Sequence, residues 1–256
     1  VIRLASGLPE GSTSAWFFMV LLVNMPVDLF GISLLITFLP TLSQEFNAAE
    51  YDKLHSSLVA GLRYLWLLLI PSFVGLVALG PAGIAVVMER GEFTAESTQL
   101  VYSLLAVSAS GAIAIATYDI LALAFFARHD TFRPMVIQLI SLAIGIGLTY
   151  ALVGPFGIYG IALGRLIYTF IILASAWIVY RRVYEPLEES TLIQEFGRSI
   201  VAAAFMAGAI RLLATLPLNR LVFVVVAIPV GGIIYLAVHV LSGGTAILEI
   251  WDGVKD

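Results

Sequence analysis

The chain has no cysteine among its 256 residues, which excludes disulfide bonds, thiolate nucleophiles and cysteine metal ligands. Histidine is nearly as scarce. His55, His129 and His239 lie far apart and lack carboxylates at ligand spacing, so no metal site is expected. Charge is scarce too: charged residues fill 12% of positions, apolar residues 61%, and mean hydropathy is +1.03. That balance leaves too little polar surface to keep a domain of this size dispersed in water. No basic patch offers nucleic acid a footprint. HExxH, GxSxG, a phosphate-cradling glycine loop and the EF-hand pattern are all missing. Asp28 and Asp119 lack the Gly-Asp context of an intramembrane protease. A non-enzymatic protein without cofactor is the expectation.

What the chain has is a rhythm of long apolar blocks separated by short polar loops. A run of about 20 apolar residues crosses a bilayer core as a helix, because lipid cannot satisfy backbone polar groups and the helix does so internally. Such runs occur at roughly 14–40, 57–84, 98–126, 134–153, 156–180, 199–216 and 221–242. The predicted fold is an all-α integral membrane protein, a polytopic bundle of about seven transmembrane helices. The first block is long for one crossing, which predicts tilt or a kink near Pro26. Residues 181–198, from Arg181-Arg182 through Glu188-Glu189, read as a polar linker. They divide a five-helix bundle (1–180) from a terminal two-helix hairpin and tail (199–256).

Loop charge predicts orientation. Lys53, Arg128, Arg133, Arg181, Arg182, Arg198 and Lys255 fall on one side, against Arg3, Arg90 and Arg220 on the other. The basic excess assigns loops 41–56, 127–133 and 181–198 to the cytoplasm and the N-terminal loop to the outside. The chain opens at Val1 with a loop-like stretch and no signal-peptide pattern, which suggests that an N-terminal half precedes it. Thr94 is predicted to cap the third span with Glu96 in its first turn. Asp130 or Thr131 should cap the fourth, with Pro134 in its first turn. Ala203, Ala204, Ala207 and Gly208 are small residues at the spacing that allows close helix contact.

Charges inside a span cost about 2.5–3.5 kcal/mol on insertion scales, so each needs a reason. Asp28 lies mid-span one turn after Asn24. It reads either as the wall of a water-accessible cavity or as a buried carboxylate bonded to a neighbouring helix. Arg165 lies in the outer half of the fifth span; a long side chain could bring it to Asp28. Asp119 reads as a carboxylate partnered inside the bundle or as an ion or proton site. Arg63 and Arg211 read as interfacial anchors that snorkel.

Four stretches, in order over about 165 residues, carry a resemblance. They are Leu8-Pro9-Glu10-Gly11-Ser12 through Pro26 and Leu29-Phe30-Gly31-Ile32 to Leu39-Pro40-Thr41-Leu42-Ser43; Arg90-Gly91-Glu92-Phe93-Thr94; Phe126-Ala127-Arg128-His129-Asp130-Thr131 before Pro134; and Gly157-Ile158-Tyr159-Gly160-Ile161-Ala162-Leu163. Together they resemble the MurJ/MviN family of lipid II flippases, within the superfamily of multidrug and oligosaccharidyl-lipid exporters. The family fold has about fourteen spans in two pseudo-symmetric lobes that rock around a central cavity. This chain resembles its last seven helices.

The resemblance implies a multi-pass protein of the bacterial cytoplasmic (inner) membrane that moves the lipid-linked peptidoglycan precursor outward by alternating access. An ion gradient or membrane potential would drive it, and the partners would be that lipid-linked substrate, membrane lipids and the N-terminal half. Asn24 matches a cavity-facing position, and Asn24, Asp28 and Arg165 are the expected substrate-binding residues. One departure stands out. The family arginine about five residues before Pro26 is Leu21 here, and the acidic residue often three later is Asn24. A pyrophosphate headgroup would then be held by Arg165 and the other half, or the cargo is another lipid-linked oligosaccharide or a drug. A non-transporting scaffold recruiting partners through 181–198 is the alternative from a different class.

Overall fold

Seven helices longer than a bilayer core run through the structure, a computed structural model that describes residues 9, 11–184 and 187–244. They are α1 (Ser12–Asn47), α2 (Tyr51–Met88), α3 (Ala95–Ala127), α4 (Phe132–Phe156), α5 (Ile158–Val183), α6 (Glu189–Leu213) and α7 (Arg220–Leu241). Each is long and apolar enough to cross a membrane, and no strand occurs among the described residues. Arg3, Glu185, Pro186 and Lys255, with the loop, linker and tail readings that use them, lie outside the described residues.

α1 and α2 hold 36 and 38 residues. At about 1.5 Å per residue each exceeds 50 Å, well beyond a 30 Å hydrocarbon layer. Neither is a straight rod. Pro26 has no N–H to donate, and the turn that follows, Val27–Gly31, widens to a π-helix. That break sits at the proline singled out from sequence. In α2 the break is at Gly80, whose backbone (φ 64°, ψ −158°) is closed to L-residues, immediately before Pro81.

α2 and α3 form the centre. Leu58, Leu62, Leu65, Leu69 and Phe73 of α2 and Leu104, Leu105, Leu121 and Phe125 of α3 are all at most 1% exposed. α5 packs on the far side of α3, α4 pairs with α5, α1 lies against α3 and α2, and the α6–α7 hairpin lies against α2. The outward stripe of α1, with Phe17, Leu21, Met25, Leu29 and Ile36, stays exposed. Apolar exposure of that kind suits lipid or another membrane helix.

Sequence punctuation mostly appears where expected. Thr94 Oγ1 accepts from the Ser97 backbone N–H, and Glu96 sits in the first turn of α3. Asp130 Oδ1 accepts from the Arg133 N–H; Thr131 makes no capping bond. The α4–α5 turn is tighter than the 154–160 loop read from sequence: Gly157 alone (φ 54°, ψ −130°) separates the two helices. Residues 189–198, read as linker from their polarity, are the first turns of α6. Of the small residues in α6, Ala203 is buried while Ala204 and Gly208 are exposed. The close approach to α7 is made by Gly231, whose absent Cβ would stand 3.0 Å from Ile210.

Candidate functional site

Pro26 and the π turn interrupt the regular helix of α1, and Asn24 lies two residues before that proline. Asn24 lines a small cavity between α1, α3 and α5, together with Ser108, Arg165 and Thr169. Its volume of about 50 Å³ suits one or two waters. The Ser108 hydroxyl is buried there with no hydrogen-bond partner among the described residues, while Thr169 Oγ1 donates to the Leu166 carbonyl at 2.7 Å. α3 comes this close to α5 because Gly111 has no Cβ: one would sit 3.0 Å from Thr169 Oγ1.

Arg165 forms no ion pair with any described residue. It also lines a groove of about 370 Å³ between α4 and α5, beside Thr149, Tyr150 and Tyr168. Asn24 and Arg165 therefore share one cavity. Asp28 does not join them. It is exposed in a separate groove with Leu21, Asn24, Val87 and Met88, so among the described residues it is neither buried against a helix partner nor paired with Arg165. Leu21, at the family arginine's position, brings no charge to that groove.

Two polar clusters and an apolar groove lie elsewhere in the bundle. Glu195 of α6, buried at 5% exposure, accepts from Arg198 Nη1 at 2.7 Å, with Arg63 Nη2 at 3.9 Å and His239 Nε2 at 3.7 Å. Arg63 is thus no snorkelling anchor; its side chain is 12% exposed and faces into a three-helix junction. Polarity had assigned Glu195 and Arg198 to a linker, so sequence reading missed this junction. The signal was available in the Glu-x-x-Arg spacing between Leu192 and Ser199, which are buried on the same face.

At the C-terminal end of α3, Arg128 lies over Tyr184 (4.6 Å to the ring centroid) and Tyr180 (5.5 Å) and donates to the Ala124 carbonyl. Tyr184 Oη donates to Asp130 Oδ2 at 2.8 Å, and Arg133 pairs with the same carboxylate. Burial alone would raise the Asp130 carboxyl, but the bonds from Arg133 and Tyr184 outweigh it and hold it below the usual carboxylate value. Burial first, then the bond to Asp130, pushes the Tyr184 phenol to about 12. This clasp is the sequence motif at 126–134, and it ties the α3–α4 turn to the end of α5. Finally, Trp66, Trp177, Phe170 and Phe196 line an apolar groove of about 640 Å³ that α5 and α6 border. Arg211, read as an anchor, reaches Tyr102 Oη at 3.5 Å.

Residues 1–231 match the family described as "Lipid II flippase MurJ". The chain belongs to that family. Among MurJ relatives, the "Probable lipid II flippase MurJ" of Vibrio cholerae is 30% identical over 210 residues, 81% of this chain and 39% of the relative. The protein of the same description from Bdellovibrio bacteriovorus is 26% identical over 205 residues, 80% and 39% of the two chains. A solved structure, "Lipid II flippase MurJ, inward closed conformation", superposes with a TM-score of 0.79 over 92% of this chain and 48% of that one, at 21% identity. That likeness concerns the fold. The chain spans about two fifths of the length of the MurJ relatives it matches.

Proposed function

We propose that this chain forms part of a carrier that moves lipid II, the lipid-linked peptidoglycan precursor, from the cytoplasmic to the outer leaflet of a bacterial inner membrane. The observation that carries the reading is Arg165: a cation without a counter-ion among the described residues, sharing a polar cavity with Asn24. Membership of the MurJ family gives that cavity its expected cargo. A pyrophosphate-sugar headgroup needs hydration and a cation inside the membrane, and a guanidinium bonds phosphate oxygens through a planar fork. In this reading Arg165 and Asn24 contact the headgroup. Asp28, exposed one turn further along α1, polarises the neighbouring groove and keeps it wet. Alternating access supplies the movement, with this bundle as one wall of the pathway.

Leu21 favours a second reading within the same superfamily. An apolar side chain at the family arginine's position removes one phosphate contact, which fits a different lipid-linked oligosaccharide. Expression of the full-length protein containing this chain in cells depleted of their lipid II flippase separates the two. Rescue is expected. Correct membrane insertion without rescue would refute lipid II as cargo. In the rescuing protein, Arg165→Ala should lower flipping at least tenfold and Arg165→Lys by less, because lysine keeps the charge and loses the fork.

A further inference from the structure

Pro81 has no N–H, so the Val77 carbonyl four residues earlier in α2 loses its backbone partner. Tyr102 Oη of α3 donates to that carbonyl at 3.3 Å, and Arg211 Nη2 of α6 lies 3.5 Å from the same hydroxyl. The stem of α2, residues 51–79, is thus fastened at its end by other helices. At about 1.5 Å per residue the stem alone exceeds a hydrocarbon layer of about 30 Å. Residues 81–88 are a separate arm beyond it. The joint is Gly80, whose torsions (φ 64°, ψ −158°) only glycine holds, although a Cβ there would meet nothing within 4 Å. Backbone freedom, not packing space, requires the glycine. The arm touches two things that matter. Val87 and Met88 line, from α2, the groove of about 740 Å³ that Asn24 and Asp28 line from α1. Just past the arm, Glu89 Oε2 accepts from Arg220 Nη1, on the first residue of α7, at 2.9 Å.

We propose that Gly80–Pro81 is a hinge, that residues 81–88 are a gate on the groove of Asn24 and Asp28, and that the Glu89–Arg220 pair is its latch. A torsion change at a residue without a Cβ re-aims the whole arm, while the bond from Tyr102 keeps the stem from unwinding into it. The latch is weak enough to open thermally: its carboxylate is 28% exposed and its guanidinium 65%. Ile84 and Ala85 are buried, but Val87 faces the groove at 62% exposure. Opening carries Val87 and Met88 away from α1 and admits a wider group beside Asn24 and Asp28. Because the latch sits on α7, the terminal hairpin is coupled to the width of that groove.

The consequence for cargo rests on the transport reading and the hinge does not, so the test has two arms. The protein is full-length, in lipid nanodiscs, with Phe17→Cys on α1 and Val87→Cys on the arm as its only thiols. Distances between spin labels at these positions should fall into two populations. Arg220→Ala should raise the longer one relative to the shorter about two- to fivefold, the range of an exposed ion pair. The charge swap of Glu89→Arg with Arg220→Glu should restore the ratio. Gly80→Ala should abolish the shorter population, because alanine does not hold the torsions that aim the arm. A distribution indifferent to Arg220→Ala, or a shorter population that survives Gly80→Ala, overturns the inference; the first readout stands even if Gly80→Ala fails to fold. In vesicles, bridging the two thiols with a short bis-maleimide should stop flipping of lipid-linked cargo, and undiminished flipping overturns the gate. Distances that respond as stated in a protein that flips no such cargo leave the hinge standing and refute the transport reading instead.

Discussion

Removing the Glu195 carboxylate tests how the terminal hairpin is held to the bundle. Glu195 is 6% exposed by side chain, Arg63 12%, Arg198 30% and His239 1%. Glu195→Ala would leave two guanidinium groups at one junction with no carboxylate between them. Truncating one partner of a buried pair costs about 3–5 kcal/mol. Arg198 is exposed enough to turn toward water and recover part of its hydration, whereas Arg63 and His239 are not, so about 3 kcal/mol is the expected loss. Glu195→Gln should fall between, since an amide oxygen can still accept from Arg198 at the cost of the charge. Denaturant unfolding in mixed micelles, followed by tryptophan fluorescence, is a suitable assay. Trp66 on α2 stacks edge-on against Phe196 of α6 at 5.1 Å and reports this contact directly. The control is Lys53→Ala, whose pair with Glu50 is 67% and 45% exposed and worth at most about 1 kcal/mol. If Glu195→Ala costs no more than Lys53→Ala, the junction contributes nothing to docking the hairpin and the reasoning fails.

Three further outcomes follow from the geometry. Gly164 is buried where a Cβ would overlap Thr149, 2.8 Å from its Cα; Gly164→Ala should part α4 from α5 and cost about 1–3 kcal/mol by overpacking. Gly147→Ala, with nothing within 4 Å of the added methyl, should be neutral or stabilising by about 0.5–1 kcal/mol in the same unfolding assay. The Asp130 clasp should be pH-dependent with a definite sign. Its folded carboxyl value is depressed, so its contribution is complete above the ordinary 3.8 and is lost as pH falls through the lower folded value. The Tyr184 value is raised, so its contribution is complete below 10 and is lost as pH rises towards about 12. Limited proteolysis of the α3–α4 turn across pH should show protection between those limits, and Asp130→Asn should remove the acid edge.

The apolar blocks announced the helices because lipid leaves the backbone no other way to satisfy its polar groups. Pro26 announced the break in α1 for a related reason, the missing N–H. Thr94 and the Asp130 turn were legible because a cap is decided within four residues of sequence. Residues 189–198 were misread by the same logic: a polar face looks like a loop until a neighbouring helix supplies its counter-charges. Arg63 looked like a snorkelling anchor for want of Glu195, which lies 132 positions away. A long Arg165 side chain offered to close the difference in depth to Asp28, yet Asp28 lines a different groove from the cavity that Asn24 and Arg165 share.

Composition, block length and the order of short motifs were therefore enough to determine a seven-helix membrane bundle and its kinship, since hydrophobic partition and local backbone chemistry are read residue by residue. Which charges meet was decided only in three dimensions. Inside the bundle an arginine finds a carboxylate, a tyrosine or, among the described residues, no counter-ion, according to how the helices lean on one another. That lean depends on glycines at contact points, a π turn after a proline and the packing of α2, none of which a hydropathy pattern specifies.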